Sequence, residues 1–540
     1  MVKDNENYPH SKIVVIFVKE VDTMDALKTA IIDIGSNTIR LVLYQYDKEE
    51  GLRELGNIKT VARLRTYIQP SGEMSEEGIQ LLTDTLLTFK AILDDFEIVD
   101  VKAVATAAIR QATNQDSILA LMKERTGIEI DLLTGDEEAT YGYLAVAYSL
   151  GTPSAVTIDI GGGSTEITVF KDKQLQHTHS FPFGTVSLKQ RFVKGDILNS
   201  NERKDLINFV KEQFLSLSWI KGIQLPIIGI GGSARNVAQI HQQQREYPLA
   251  SVHGYEIPKQ ELQELRNYLS HMSYDELKQL DGLSTDRADI IEPAIEVFCA
   301  LMDVVQSKVF QLTKKGLREG IILQRIFNSD EETFNKYYVI EGNIRRLAKQ
   351  YGRSETEMSY LKDLASQLYR ACCRLNYLTF QKEDLRLISN AAMIFNIGEY
   401  IELSSASQHS FYLIANQSID GLNHKDRVKL ALLASYKNKD YYQRFASPFS
   451  EWISREEFRK IRDFGAILKF VYALNISKRN IVHKLELHKE NDFLQLNIFV
   501  RKNGMAEKYQ AERHKKHLER VLKTTIKLNF IEEGLKQNDN

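Results

Sequence analysis

The chain has 540 residues, of which 43% are hydrophobic and 26% charged, and its 70 Lys and Arg against 72 Asp and Glu leave a formal net charge of −2. This length accommodates several domains with sizeable cores, and the near-neutral charge argues against a general affinity for nucleic acid, so that any polyanion site must be a local basic channel. Cys299, Cys372 and Cys373 form neither a disulfide framework nor a metal spacing and read as core residues, which fits a reducing, cytoplasmic setting.

The leader Met1–Asp22 is polar apart from Ile13–Val18, a run too short for a signal-peptide core, and no later segment could span a bilayer. Met24 stands just before the first strand, so the leader reads as a dispensable extension or a mis-assigned start. Ala30–Tyr44 then gives an apolar strand, Asp-Ile-Gly, small polar residues and a second strand. Glu50–Ser75, with Arg53, Lys59, Arg63 and Arg65, reads as a charged connection. Apolar residues at 79, 82, 86, 89, 93 and 96 predict a helix from Ser75. Val101–Thr106 is a strand running into Ala107–Asn114, with Asn114 expected to cap a helix that ends at Gly127. The strand Ile128–Leu133 leads into Thr134–Ala139 and a helix through Ala147. Arg110 and the acids Asp136, Glu137 and Glu138 therefore fall at carboxyl ends of strands, where open α/β sheets bind ligands.

The second half repeats the first. Val156–Ile160 is a strand, Gly161-Gly162-Gly163 a tight turn whose N–H groups can face an anion, and Ile167–Phe170 the returning strand. A Walker loop or a dinucleotide fingerprint would open a helix here, so both are excluded. Asp159 and Glu166 flank the turn, and carboxylates beside a phosphate loop suit Mg²⁺. Two hairpins that share Asp-Ile-Gly resemble the actin, sugar kinase and Hsp70 superfamily and imply two α/β halves around a cleft. Ile227–Ala238, Gly282–Asp289 and Gly316–Gly320 add a glycine turn and two helix starts. From about Asn328 helical periodicity dominates to about Asn475. Val482–Val500 alternates as a hairpin, Ala511–Leu528 reads as a basic helix, and the last residues read as frayed.

Taken in order, the loop Asp33–Asn37, Ala105–Asn114, Gly135–Ala139, Asp159–Glu166 and Gly316–Gly320 resemble the exopolyphosphatase / guanosine pentaphosphate phosphohydrolase family over about Ala26–Ile326. The later part resembles the HD-type helical domain of its long members. The resemblance implies two actin-like (ribonuclease H-like) α/β domains, residues 26–150 and 151–326, after an extension at 1–25. An all-α HD-like domain over 327–480 and a small α+β segment over 481–540 would follow. It implies Glu138 as the catalytic base, Asp159 and Glu166 as ligands of Mg²⁺ or another divalent cation, and Ser36, Asn37, Arg110, Gly161, Gly162, Gly163 and Ser164 as phosphate binders. Arg235 takes the place of a further basic residue. The implied substrate is inorganic polyphosphate, cut at its terminal phosphate, with guanosine pentaphosphate as the alternative. The partners expected are a second copy in a homodimer and neither nucleic acid nor membrane. A non-catalytic polyphosphate or alarmone sensor, and a sugar or acetate kinase, are the readings from other classes. The HD-type metal pair is replaced here by Phe395-Asn396, so the helical region is expected to have no metal-dependent activity and to serve as a polyphosphate channel or dimer interface.

Overall fold

Strands with Ile, Val and Leu at successive positions are buried on both faces, and two such strands centre the two sheets. The computed structural model describes residues 14–17, 27–47, 50–327 and 335–533. The first sheet contains β1 (Val14–Phe17), β2 (Leu27–Ile34), β3 (Thr38–Asp47), β4 (Gly51–Val61), β5 (Val101–Ala105) and β6 (Ile130–Leu132), in the order β1-β4-β3-β2-β5-β6. The second contains β7 (Ala155–Ile160), β8 (Thr165–Lys171), β9 (Gln174–Phe181), β10 (Ile227–Ile230), β11 (Glu256–Pro258) and β12 (Val309–Leu312), in the order β11-β12-β10-β7-β8-β9. With the edge strands β1 and β11 set aside, the two orders are the same. In each, three antiparallel strands are followed by two parallel ones.

Alternation places neighbouring residues in different cores. In β2, Ile32 and Ile34 face Leu82, Leu86 and Phe89 of the helix Glu76–Asp95, whereas Ile31 packs with Val42, Tyr44, Ile321 and Ile322. In the second sheet Val156, Ile158 and Ile160 join Phe214 and Phe298, while Ala155, Phe170 and Ile228 meet Tyr143 and Val146. The helices Gly135–Ser149 and Leu317–Phe327 pack on each other so tightly that a Cβ on Gly320 would enter the backbone carbonyl of Tyr141.

Four sequence expectations are corrected. Much of the charged connection Glu50–Ser75 is the strand β4, whose alternation is hidden by a bulge where the pairing with β3 shifts between Leu43 and Tyr44, and by charges on its outer positions. Part of the leader belongs to the sheet, since Val14–Phe17 pairs antiparallel with Gly56–Lys59, and the rest of it lies outside the described residues, as do residues 534–540. Asn114 occupies the position before its helix but caps nothing; its side chain accepts from the Met74 N–H (3.0 Å) and donates to the Met74 carbonyl (3.1 Å). The basic helix covers Met505–Leu522 and stops at Lys523, which takes a left-handed φ of 52°; Thr525–Glu532 then forms β15. Ile526 continues the helical spacing of Leu518 and Leu522, which hid the alternation Ile526, Leu528, Phe530.

The chain divides into two compact units, residues 1–247 with 252–339 and residues 248–251 with 340–540. The second is built from helices between Lys336–Gln350 and Arg455–Ala473, followed by β13 (Val482–Lys489) and β14 (Phe493–Val500), an antiparallel hairpin, with β15 parallel to β14. Cys299 and Cys372 are buried, and Cys373 is half-buried. Among the described residues no helix is long and apolar enough to cross a membrane.

Gly320→Ala is expected to lower stability by about 1–3 kcal/mol, the range for overpacking against a backbone that cannot yield. Chemical denaturation of the full chain measures it, and an unchanged midpoint would show that the two helices separate freely.

Candidate active site

The duplicated hairpins meet tip to tip. A Cβ on Gly162 would lie 3.0 Å from the Ser36 Cβ, and one on Gly163 would lie 3.1 Å from the Ser36 Oγ, so any side chain at either position would press on Ser36. In both loops the carbonyl groups are bonded away from the cleft. The Gly161 carbonyl accepts from Thr185 N (2.9 Å), that of Gly162 from Val186 N (3.0 Å) and Ser187 N (3.1 Å), and that of Gly163 from the Gln111 side chain (3.4 Å). In the first loop the Ser36 carbonyl accepts from Arg65 N (3.2 Å) and that of Asn37 from Ala62 N (3.2 Å) and Arg63 N (2.9 Å). What the loops offer the cleft is therefore N–H and hydroxyl groups, the chemistry of an anion nest.

Between them lies a cavity of about 150 Å³ lined by Ser36, Asn37, Gly161, Gly162, Ser164, Arg235, Asp159 and Glu138, all anticipated from the sequence. Arg40, Arg287 and Arg318, which sequence reasoning passed over, also line it, as do Lys314 and Lys315. The arginines crowd one another. Burial and the charges of Arg318, Arg235 and Arg287 lower the Arg40 guanidinium to about 10, and burial with its neighbours also lowers Arg235. Three buried donors here lack any hydrogen-bond partner: Asn37 Nδ2, Arg235 Nε and Arg318 Nη1. A buried donor left unsatisfied costs about 1–3 kcal/mol, so three of them in one cavity point to a bound anion.

The opposite charge is equally concentrated. Burial, and then the charge of Glu166, raise the Glu138 carboxyl well above its usual value. Burial and Asp33 raise Asp159 to about 6, and burial and Asp159 raise Glu166 to about 7. Glu138 sits on the first turn of the helix Gly135–Ser149, where the other two acids have structural partners. Glu137 completes a capping box with Thr134, and Asp136 Oδ1 accepts from Thr178 (3.1 Å). Arg110 Nη1 donates to the Leu133 carbonyl (2.7 Å) and to Glu138 Oε2 (3.2 Å). The structure thus engages Arg110 in orienting Glu138, and neither it, Gly163 nor Glu166 lines the cavity. Glu166 Oε1 accepts from Ser180 (2.8 Å) behind it. Asp159 and Glu166 are direct cross-strand partners on β7 and β8. Among the described residues no three His, Cys, Asp or Glu side chains form a complete metal cage. Two carboxylates beside a phosphate cradle nevertheless fit Mg²⁺, which takes few protein ligands together with phosphate oxygens.

The glycine turn before Arg235 has its own reason. Gly231 takes φ 86° and a Cβ there would lie 2.6 Å from Asp159 Oδ1, while a Cβ on Gly232 would overlap the Arg287 guanidinium. Arg287 in turn donates to Ser233 Oγ (3.2 Å), and Arg318 stands 3.8 Å from Asp33. A signal for the missed arginines was present in the sequence. Arg40 pairs with Asp33 across β2 and β3 as Glu166 pairs with Asp159 across β7 and β8. Arg287 and Arg318 lie inside the segments Gly282–Asp289 and Gly316–Gly320.

The raised carboxyls give a sign to the pH dependence of stability. In the unfolded chain they ionise near pH 4, and in the fold near 6 and 7. Their stabilising contribution is present in full below about pH 4 and is lost as pH rises through those values. Without divalent cation, Glu166→Gln is expected to melt like the parent near pH 4 and above it near pH 8. Melting curves across that range test this; a constant difference would exclude a buried, titrating Glu166.

Residues 42–328 match the family described as Ppx/GppA phosphatase family, and residues 339–520 match its domain III. The chain is similar to the guanosine-5'-triphosphate,3'-diphosphate pyrophosphatase of Aliivibrio fischeri (strain MJ11), with 25% identity over 481 residues that cover 87% of this chain and 91% of that protein. The protein of the same name from Photobacterium profundum is 25% identical over 414 residues, 75% of this chain and 79% of its own. Among solved structures, the Aquifex aeolicus Ppx/GppA family member is 28% identical at a TM-score of 0.51, covering 57% of this chain and 99% of its own. An exopolyphosphatase from Cytophaga hutchinsonii ATCC 33406, 24% identical at a TM-score of 0.53 over 56% of this chain and 99% of its own, shares the fold.

Proposed function

Because the chain belongs to the Ppx/GppA phosphatase family, we propose that this phosphatase releases terminal orthophosphate from inorganic polyphosphate, with Glu138 activating the attacking water. The observation that carries this reading is the pairing, in one cavity, of unsatisfied cationic donors with a buried carboxyl cluster. The terminal phosphate is seated between the two loops, where amides, Ser36, Asn37, Arg235 and Arg318 offset its charge. Glu138 takes a proton from water as the water oxygen attacks the terminal phosphorus, and the anhydride P–O bond breaks on the far side. The products are orthophosphate and a chain shorter by one phosphate. Arg110 favours the ionised, accepting state of Glu138 against the burial that opposes it. A divalent cation held by Asp159 and Glu166 with phosphate oxygens would supply further charge neutralisation.

Polyphosphate is favoured over a nucleotide here because no aromatic side chain lines the cavity among the described residues, so nothing in it stacks on a base. Guanosine pentaphosphate is the second reading, supported by the names of the curated relatives that match most of this chain.

Phosphate release from long-chain polyphosphate and from guanosine pentaphosphate separates the two. Glu138→Gln is expected to lower release at least about a hundredfold with the fold intact, and Arg318→Gln to lower kcat by about 10²–10³ as a lost transition-state donor. Near-parental turnover by Glu138→Gln would remove it from the mechanism. Faster turnover of the guanosine nucleotide would select the second reading.

A further inference from the structure

The second unit contains a cavity of about 270 Å³, just under the roughly 300–1,000 Å³ typical of small-molecule sites. Phe395 and Asn396 stand in its wall, together with Tyr436, Lys469, Tyr472 and His514. One side of it is cationic. The Lys469 ammonium donates to the Lys437 carbonyl and lies 3.3 Å from His517 Nε2, which leaves it a third donor. His514 and His517 stack at 6.0 Å between ring centroids, and in each the Nδ1 is buried with no hydrogen-bond partner. Burial and the charges of Lys516, Lys437 and Arg513 lower Lys469 to about 8, and burial with Lys469 as neighbour lowers both imidazoles to about 4. The nearby acid is already matched: Glu399 accepts from Tyr472 OH and from Lys478 (2.9 Å), and Arg353 stands 3.9 Å from it. The other side is aromatic. Phe395 and Tyr472 lie 5.4 Å apart between centroids, the Tyr436 ring stands edge-on to His517 at 6.2 Å, and Leu403 at the rim is 78% exposed.

The Lys469 ammonium, with a donor to spare beside the unpartnered His514 Nδ1, suits an anion, and the rings beside it suit a planar apolar group. We propose that this cavity is a nucleotide-binding site distinct from the hydrolytic cleft, with a di- or triphosphate against Lys469 and His514 and the base among Phe395, Tyr436 and Tyr472. The Phe395-Asn396 replacement suits this occupant, because Phe contributes a ring and neutral Asn does not repel phosphate as a carboxylate would.

The test is equilibrium binding of GDP and ADP to the full chain without divalent cation, with inorganic pyrophosphate as the probe for the phosphate half alone. Arg235→Gln with Arg318→Gln weakens binding in the cleft and should leave one nucleotide site per chain. Adding Lys469→Met to that background should weaken the remaining site by about tenfold or more. The melting temperature without ligand should not fall, since the lysine is repelled where it stands. If Lys469→Met does not fold, His514→Gln carries the same expectation. Unchanged nucleotide binding after either substitution would overturn the proposal. Pyrophosphate binding as tightly as the better nucleotide would overturn the role of the rings, and loss of all binding in the cleft variant would place the nucleotide in the cleft instead.

Discussion

Buried charge that is only partly paired within the protein is the constraint around which the first unit is arranged. Asp33, Glu138 and Asp159 line a cleft with Arg40, Arg235, Arg287 and Arg318, and of these four arginines only Arg318 forms an ion pair with one of the acids, at 3.8 Å from Asp33. Had the two sets collapsed onto each other they would form inert ion pairs of the kind that stabilise little and bind nothing. The backbone prevents it. Both acids at the strand ends, Asp33 and Asp159, are fixed by antiparallel pairing, Arg40 is held opposite Asp33 on the neighbouring strand, and Arg235, Arg287 and Arg318 are carried on other segments. The cost is a cleft strained electrostatically when empty, and the release of that strain is what makes a phosphoryl ligand welcome there.

The glycines follow from the same constraint. Gly162 and Gly163 let two loops touch, Gly184 gives the helix Thr185–Phe192 room to collect the loop carbonyls, and Gly231 and Gly232 clear space for a carboxylate and a guanidinium. None of these positions is explained by chain flexibility alone. Each removes a side chain where two charged or polar groups must approach a backbone.

Much of this was legible in the sequence because it repeats. Two copies of strand, Asp-Ile-Gly and strand revealed the centres of the two sheets and six residues of the cavity wall, while Glu138 and Arg235 rested on the family resemblance. What stayed hidden had physical reasons. β4 carries charges on its outer positions and a bulge within, so its alternation is broken just where it would be counted. Arg40 stayed hidden because the repeat shows in its glycines and not in the register of its second strand. The partners of Arg110 are 23 and 28 residues away, and nothing local distinguishes an arginine that orients a carboxylate from one that grips a phosphate. The helical spacing of Leu518, Leu522 and Ile526 carried over into a strand that only pairing with β14 makes a strand.

The two hairpins have the same backbone but differ in the charge opposite the first acid, Arg40 in one and Glu166 in the other. A phosphoryl group held between two equivalent hairpins would meet the same charge on either side. With Arg40 in one copy and Glu166 in the other, one hairpin is the more cationic and its twin the more anionic, and a fold made by duplication acquires two unlike sides.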